Sequence, residues 1–272
     1  MNDFFQYYNN DTLMSHGSMG KIMGTRFEVI LLDKSEDAAS AIWHDIQQEL
    51  MRLDKLLNRF DPESEIAKMN TQAFLHPVAV YPELFQILTD CRIYHEKTTG
   101  LFDISLKDFS KVVLLESDCA VSFLSPEISL DLGAYAKGYA LQVIWGKLKK
   151  YNVLNAFLSF GDSSILGIGN HPYGNSWKVS VTNPFVHHEV LGEIDLQHTS
   201  LSTSGNSPNY TNHIVRPDSG RRNNERKLVC VVAGNPVDAE VLSTALMVAT
   251  DQERQEILQN FEIESFKIYN IE

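Results

Sequence analysis

Two kinds of hydrophobic periodicity follow one another along this chain, and their order restricts the fold more than any other feature. Over residues 35–57, apolar residues recur every three or four positions, which predicts an amphipathic helix with Ser35 as its N-cap. Residues 25–32 alternate before becoming apolar, which predicts a strand. Strands and helices of these kinds are mixed without strict alternation. We therefore expect an α+β fold, in which helices pack on a mixed, largely antiparallel sheet.

The remaining elements follow from the same patterns. Further helices are predicted at residues 81–99, 135–150, 237–250 and 252–261, with one more beginning at Ser64. Further strands are predicted at residues 128–132, 156–159, 164–167, 177–181, 190–196, 228–232 and 265–271. No internal repeat or flexible linker interrupts the pattern, so we expect one unit over residues 21–272. The polar residues 1–20 are expected to be a poorly ordered lead-in.

The charge balance restricts the classes of partner. The net charge is −12, which disfavours nucleic acid, because such binding depends on basic residues that neutralise phosphates. No apolar run is long enough for a membrane helix, which needs about 18 residues. The three cysteines lack metal-ligand spacing and are expected to be reduced. The N-terminus as written has no signal peptide, so we expect a cytoplasmic protein, or an exported one if a leader was removed.

One stretch combines a strand end, a glycine turn and a helix start. In Asp131-Leu-Gly-Ala-Tyr-Ala-Lys-Gly138, a lysine falls in the first turn of the predicted helix. The free N–H groups of a helix N-terminus, together with a lysine, suit a phosphate group. The alternative is an ordinary strand–helix turn with an exposed lysine.

Two later stretches carry further polar groups. His213 precedes a short extended stretch and a Pro-Asp-Ser-Gly turn, so it is a candidate acid or base, or else a surface histidine. Glu240 and Thr244 are four residues apart on one helix and share a face. Their oxygens could bind Mg²⁺. Alternatively, Thr244 bonds to the carbonyl group of residue 240.

Taken in order along the chain, these stretches and several others resemble the ApbE-like family, the FAD:protein FMN transferases. The matching segments run in the family's order: Met23-Gly-Thr25, Asn58-Arg-Phe-Asp-Pro-Glu-Ser-Glu-Ile66, Gly100-Leu-Phe-Asp103, Asp131-Leu-Gly-Ala-Tyr-Ala-Lys-Gly-Tyr139, Ser159-Phe-Gly-Asp-Ser163, Ser202-Thr-Ser-Gly205, His213-Ile-Val-Arg-Pro217 and Ala239-Glu-Val-Leu-Ser-Thr-Ala245. The resemblance covers about residues 21–250. The segment that begins at Asp131 is the most specific of them.

The resemblance implies a reaction and a set of site residues. FAD, as the substrate, would be cleaved at its diphosphate with the help of Mg²⁺. FMN would then pass to a Thr or Ser hydroxyl group of an acceptor flavoprotein, and AMP would leave. The positions implied to bind FAD are Met23, Phe60, Asp103, Asp131, Lys137, Ser204 and Gly205. The implied metal ligands are the Ala134 carbonyl group, Glu240 and Thr244, and His213 is the implied catalytic residue.

Departures from the family pattern keep two other functions open. The family usually has Asp at the metal position occupied by Glu240, and Phe160 replaces the first glycine of a conserved turn. The stretch between residues 103 and 131 is short compared with typical members. The first alternative is therefore a catalytically weakened FAD-binding protein. The second is a pyrophosphatase that hydrolyses FAD to FMN and AMP.

Overall fold

A computed structural model describes residues 4–105, 107–208, 211 and 213–271, and the fold is reported for these residues. The helices within them are α1 (Glu36–Leu57), α2 (Glu65–Gln72), α3 (Pro82–Lys97), α4 (Ala136–Lys150), α5 (Pro236–Val248) and α6 (Asp251–Leu258). The strands are β1 (Phe4–Asn9), β2 (Met14–Ile22), β3 (Thr25–Leu31), β4 (Val78–Ala79), β5 (Val112–Leu115), β6 (Ala120–Phe123), β7 (Ala156–Phe160), β8 (Ser164–Ile168), β9 (Trp177–Thr182), β10 (Val190–Leu196), β11 (Thr199–Gly205), β12 (Val215–Arg216), β13 (Arg221–Arg222), β14 (Lys227–Ala233) and β15 (Ser265–Asn270).

Eight of these strands form one sheet in the order β1-β2-β3-β7-β8-β11-β14-β15, and every neighbouring pair in it is antiparallel. Helices α1, α4 and α5 pack against one face of the sheet. The β9–β10 ribbon covers part of the other face. The expected α+β fold with a largely antiparallel sheet is therefore confirmed.

Strand β14 is buried on both faces. Val229 and Val231 contribute to the core beneath α5, whereas Cys230 and Val232 contribute to the core beneath the ribbon. Successive side chains on a strand point to opposite faces, so one strand supplies both cores. This explains why its sequence is an uninterrupted apolar run rather than an alternating one.

The predicted helices are present with small shifts at their ends. Ser35 caps α1 by accepting a hydrogen bond from the Ala38 N–H, and Ser64 caps α2 by accepting one from the Ala67 N–H. Each hydroxyl group satisfies a backbone donor that the first turn of the helix leaves without a partner. None of the helices in the described ranges is both long and apolar enough to span a membrane.

Two predictions differ from the structure. Residues 4–20 are not a poorly ordered lead-in but contribute β1 and most of β2. Their strand pattern is weak in the sequence because the inward positions of β2 include Ser15 and Gly17. A Cβ atom at residue 17 would lie 2.7 Å from the Trp43 ring, so only glycine fits beneath this tryptophan.

The second difference concerns residues 128–132, which were predicted to form a strand. They belong to no strand or helix. Instead, the side-chain amide of Asn70 binds both backbone groups of Leu130, each at 2.9 Å, and the Asp131 N–H donates to the Ile104 carbonyl group at 2.7 Å. These hydrogen bonds hold the segment in place before the following turn.

A small sheet in the order β4-β6-β5 lies beside α3. The sequence did not predict these strands, because two to four residues are too few to establish an alternation. Two of its strands, β5 and β6, lie in the stretch between Asp103 and Asp131.

Candidate active site

Helices α4 and α5 lie very close together at Gly138. A Cβ atom there would lie 2.6 Å from the Pro236 carbonyl oxygen and 2.8 Å from the Glu240 Cβ, so no larger residue fits without movement. The preceding residue, Lys137, therefore reaches across to α5, and its Nζ lies 2.5 Å from the Glu240 Oε1. The close approach of two helices thus creates an ion pair between them.

The Glu240 carboxylate lies among hydroxyl groups. Its residue is only 4% exposed. Its Oε2 accepts hydrogen bonds from the Ser164 Oγ at 2.6 Å and the Ser202 Oγ at 3.1 Å. Ser243 continues this hydroxyl network, with its Oγ 3.0 Å from that of Ser202. A buried carboxylate needs such partners, because an isolated charge is very costly to remove from water.

Asp131 holds the turn that leads into α4. Its Oδ1 accepts from the Gly133 N–H at 2.8 Å, and its Oδ2 accepts from the Arg59 guanidinium at 3.1 Å. The same guanidinium lies 5.3 Å from the centre of the Phe60 ring, which is 81% exposed. The loop after α1 and the turn before α4 are thereby joined beside an exposed aromatic ring.

Met23 approaches this region from the turn between β2 and β3. Its N–H donates to Asp54 at 3.2 Å, and its φ angle is +46°. Asp103 lies on another wall, where its carboxylate accepts hydrogen bonds from the Ser105 N–H at 2.7 Å and the Phe109 N–H at 3.2 Å. The Asp103 carboxylate therefore already orders its own loop.

His213 lies at the exposed edge of the site. Partial desolvation of its ring, and secondly the nearby positive charge of Lys137, lower the pKa of His213 below its ordinary value. A lowered pKa favours the neutral imidazole near neutral pH, and a neutral imidazole can accept a proton.

Two adjoining cavities connect these residues. One, of about 400 Å³, is lined by Asp103, Asp131, Ala134, Lys137, Ser204, Gly205, His213, Glu240 and Thr244. The other, of about 370 Å³, is lined by Met23 and Phe60 and shares Asp131, Gly133, Lys137 and Ser163 with the first. We call the two together the cleft. All eleven residues singled out from the sequence therefore line the cleft.

The chemistry of the donors suits Mg²⁺. One carboxylate (Glu240), one hydroxyl group (Thr244) and the residue that would offer its carbonyl group (Ala134) line the same cavity. Mg²⁺ in proteins is often held by one or two carboxylates, with water and phosphate completing its shell. Within the described ranges, no three His, Cys, Asp or Glu side chains are grouped to hold a metal ion. A bound cation would therefore depend on hydroxyl, carbonyl and phosphate oxygens, and would share Glu240 with Lys137.

Three further residues lie in or next to the cleft. Arg59 pairs with Asp131, Ser163 lines both cavities, and Ser164 binds Glu240. Arg59 and Ser163 fall inside segments that resemble the family, so their position in the sequence was a usable signal. Ser164 is a short polar residue on a buried strand, and nothing local distinguishes it from other serines.

Comparisons with known proteins show which proteins this chain is similar to. The profile of the ApbE family matches residues 23–119 and 107–266. An FAD:protein FMN transferase of Chlamydia muridarum is 26% identical over 249 residues, covering 77% of this chain and 76% of that protein. One of Klebsiella pneumoniae is 25% identical over 262 residues, covering 83% and 79%. The flavin transferase ApbE of Vibrio cholerae has the same fold, with a TM-score of 0.79 and 19% identity over 99% of this chain and 97% of that chain.

Proposed function

The chain belongs to the ApbE family, and from that membership and the shape of the cleft we propose that it transfers FMN from FAD to a hydroxyl group of an acceptor protein. The single observation that carries the proposal is the convergence on one cleft of residues from segments far apart in the sequence, from Met23 to Thr244. Two connected cavities suit an elongated ligand such as a dinucleotide. The names of the relatives from Chlamydia muridarum and Klebsiella pneumoniae support the same reaction.

Charge in the cleft favours a requirement for a cation. Four carboxylates, from Asp54, Asp103, Asp131 and Glu240, line it, against the cations Lys137 and Arg59. A diphosphate would add negative charge to walls that are already slightly negative. We propose that Glu240, Thr244 and the Ala134 carbonyl group would hold Mg²⁺, which would supply positive charge to the diphosphate and polarise its phosphorus–oxygen bonds.

The residues of this chain then bind and orient the reactants. Lys137 and the first N–H groups of α4 offer donors to the diphosphate. The acceptor oxygen attacks the phosphorus on the FMN side, the bond from that phosphorus to the bridging oxygen breaks, and AMP leaves with that oxygen. The hydroxyl proton passes to the neutral ring of His213, whose pKa is lowered. Phosphoryl transfer depends mainly on such positioning and charge stabilisation.

The test is an incubation with FAD and Mg²⁺, with and without a protein that carries the family's acceptor motif. Flavin fluorescence on the acceptor band, with AMP released, supports the transferase. FMN and AMP without labelling would indicate the pyrophosphatase, and retention of intact FAD would indicate a binding protein. We expect His213→Ala to lower labelling strongly. The matched control His187→Ala changes an exposed histidine outside the cleft and should retain activity.

A separate measurement tests the proposed metal ligands without using activity. Mg²⁺ should raise the melting temperature of the protein with FAD bound, because a ligand that binds only the folded state stabilises it. Glu240→Gln should abolish this effect, since an amide oxygen is a weaker ligand for a hard cation than a carboxylate. An equal rise in wild type and Glu240→Gln would remove Glu240 from the metal site.

A further inference from the structure

A third cavity, of about 550 Å³, lies between the β12–β13 hairpin and the corner where α5 meets α6. Its cationic lining residues are Arg216, Arg221, Arg222, Lys227 and Arg254. Two carboxylates, Glu225 and Asp251, also line it. Five cations against two carboxylates form a positive surface on a chain whose net charge is −12. We call this cavity the arginine groove.

Arg216, Arg254 and Lys227 form ion pairs inside the protein. Arg216 binds Glu253 at 2.6 Å and Asp218 at 2.9 Å. Arg254 pairs with Asp251, and Lys227 pairs with Glu225.

Arg221 and Arg222 on β13 are both exposed, and Arg221 has no ion-pair partner among the residues that the structure describes. The positive charge of Arg221 is therefore available to a ligand.

The groove and the cleft share two walls. Val215 and Pro217 line the cleft, while Arg216, between them, lines the groove. On α5, Thr244 lines the cleft and Met247, about one turn later, lines the groove. The groove therefore adjoins the cleft across β12 and α5.

We propose that the arginine groove binds an acidic segment of the acceptor protein next to the hydroxyl group that receives FMN. This inference rests on the proposed function, which requires a protein substrate to reach the cleft from solvent. None of the described residues that line it is aromatic, so they offer no ring on which a nucleotide base could stack. Exposed arginines suit carboxylates instead, because the guanidinium group binds them with two parallel hydrogen bonds. Complementary charge would also speed the encounter of enzyme and acceptor.

The test uses two fluorescein-labelled peptides. In the first, aspartates and glutamates flank a threonine; in its twin, these positions are Asn and Gln. We expect wild type to bind the acidic peptide at least about tenfold more tightly than its twin at low salt, and to lose this preference as salt is added. The variant Arg221→Glu/Arg222→Glu should lose the preference. The control Lys150→Glu/Lys178→Glu makes the same change of charge at exposed positions outside the groove and should keep it.

Three results would overturn the proposal. These are equal affinity of wild type for both peptides, an undiminished preference in the β13 variant, or an equal loss of preference in the control variant. Displacement of the acidic peptide by AMP, at matched ionic strength and with higher affinity than the peptide's own, would make the groove a nucleotide site and would also overturn it. Because peptide binding involves no flavin transfer, these failures leave the proposed function standing. Absence of FMN transfer by wild type would instead overturn the proposed function.

Discussion

The buried ion pair between Lys137 and Glu240 allows a quantitative test of the cleft's structure. Its atoms lie 2.5 Å apart, and the two side chains are only 18% and 5% exposed. Lys137→Met removes the charge and keeps most of the volume. Glu240→Gln removes the partner charge and keeps an oxygen that can accept from Ser164 and Ser202. The two single variants and the double variant form a double-mutant cycle.

The expected magnitudes follow from distance and burial. At an effective dielectric constant of about 20, two unit charges 2.5 Å apart attract by roughly 7 kcal/mol, and desolvation offsets much of this. Lys137→Met should lower the free energy of unfolding by about 3 kcal/mol, because it leaves a buried carboxylate without a cation. Glu240→Gln should cost about 1–2 kcal/mol, since the more exposed lysine can reach water. The double variant should lose roughly 2–3 kcal/mol less than the sum of the two.

Urea unfolding of the metal-free protein, followed by circular dichroism and tryptophan fluorescence, measures these free energies. The control cycle uses Lys107→Met and Glu127→Gln, whose atoms lie 2.8 Å apart but whose side chains are 54% and 68% exposed. Its coupling energy should stay below about 0.5 kcal/mol, because water screens an exposed pair. If the losses in the free energy of unfolding caused by the two mutations at Lys137 and Glu240 were additive within about 0.5 kcal/mol, burial would not strengthen this ion pair. That result would contradict the expected coupling.

Three further outcomes are expected. Gly138→Ala should lower the free energy of unfolding by about 2 kcal/mol in the same assay, because the new Cβ would overlap the Pro236 carbonyl oxygen. Hydrogen bonds from Arg216 lower the pKa of Glu253 from 4.5 to about 2, so this pair stabilises the fold above pH 4.5 and loses its effect as pH falls towards 2. The destabilisation by Arg216→Met should therefore shrink over that window, as measured by urea midpoints. Because the pKa of His213 is lowered from 6.5, the rate of FMN transfer should decline only below pH 6.5. This acid limb should be absent from the residual activity of His213→Gln.

Helix α1 and strand β2 show which parts of the fold were predictable. The apolar residues of α1 that face the sheet, such as Ile46 and Leu50, recur at helical spacing and are fully buried. In β2 the inward positions include serine and glycine, because the Trp43 ring already fills the space. A periodic apolar pattern predicts the buried face of an element only where the buried residues are themselves apolar. A strand that lies beneath a large side chain from another element therefore lacks the alternating apolar pattern by which strands are predicted.

The order of the motifs predicted which residues line the cleft, but not how they pair. The pairing of Lys137 with Glu240 depends on the distance between α4 and α5, which Gly138 permits and no local pattern encodes. The hydroxyl groups of Ser164 and Ser202 come from strands that are neighbours only in the folded sheet. The ion pair between Lys137 and Glu240 also affects how the proposed Mg²⁺ would bind. A cation that binds Glu240 through Oε1 must share that oxygen with the Lys137 ammonium group or displace it, so Lys137→Met should strengthen Mg²⁺ binding even as it weakens the fold.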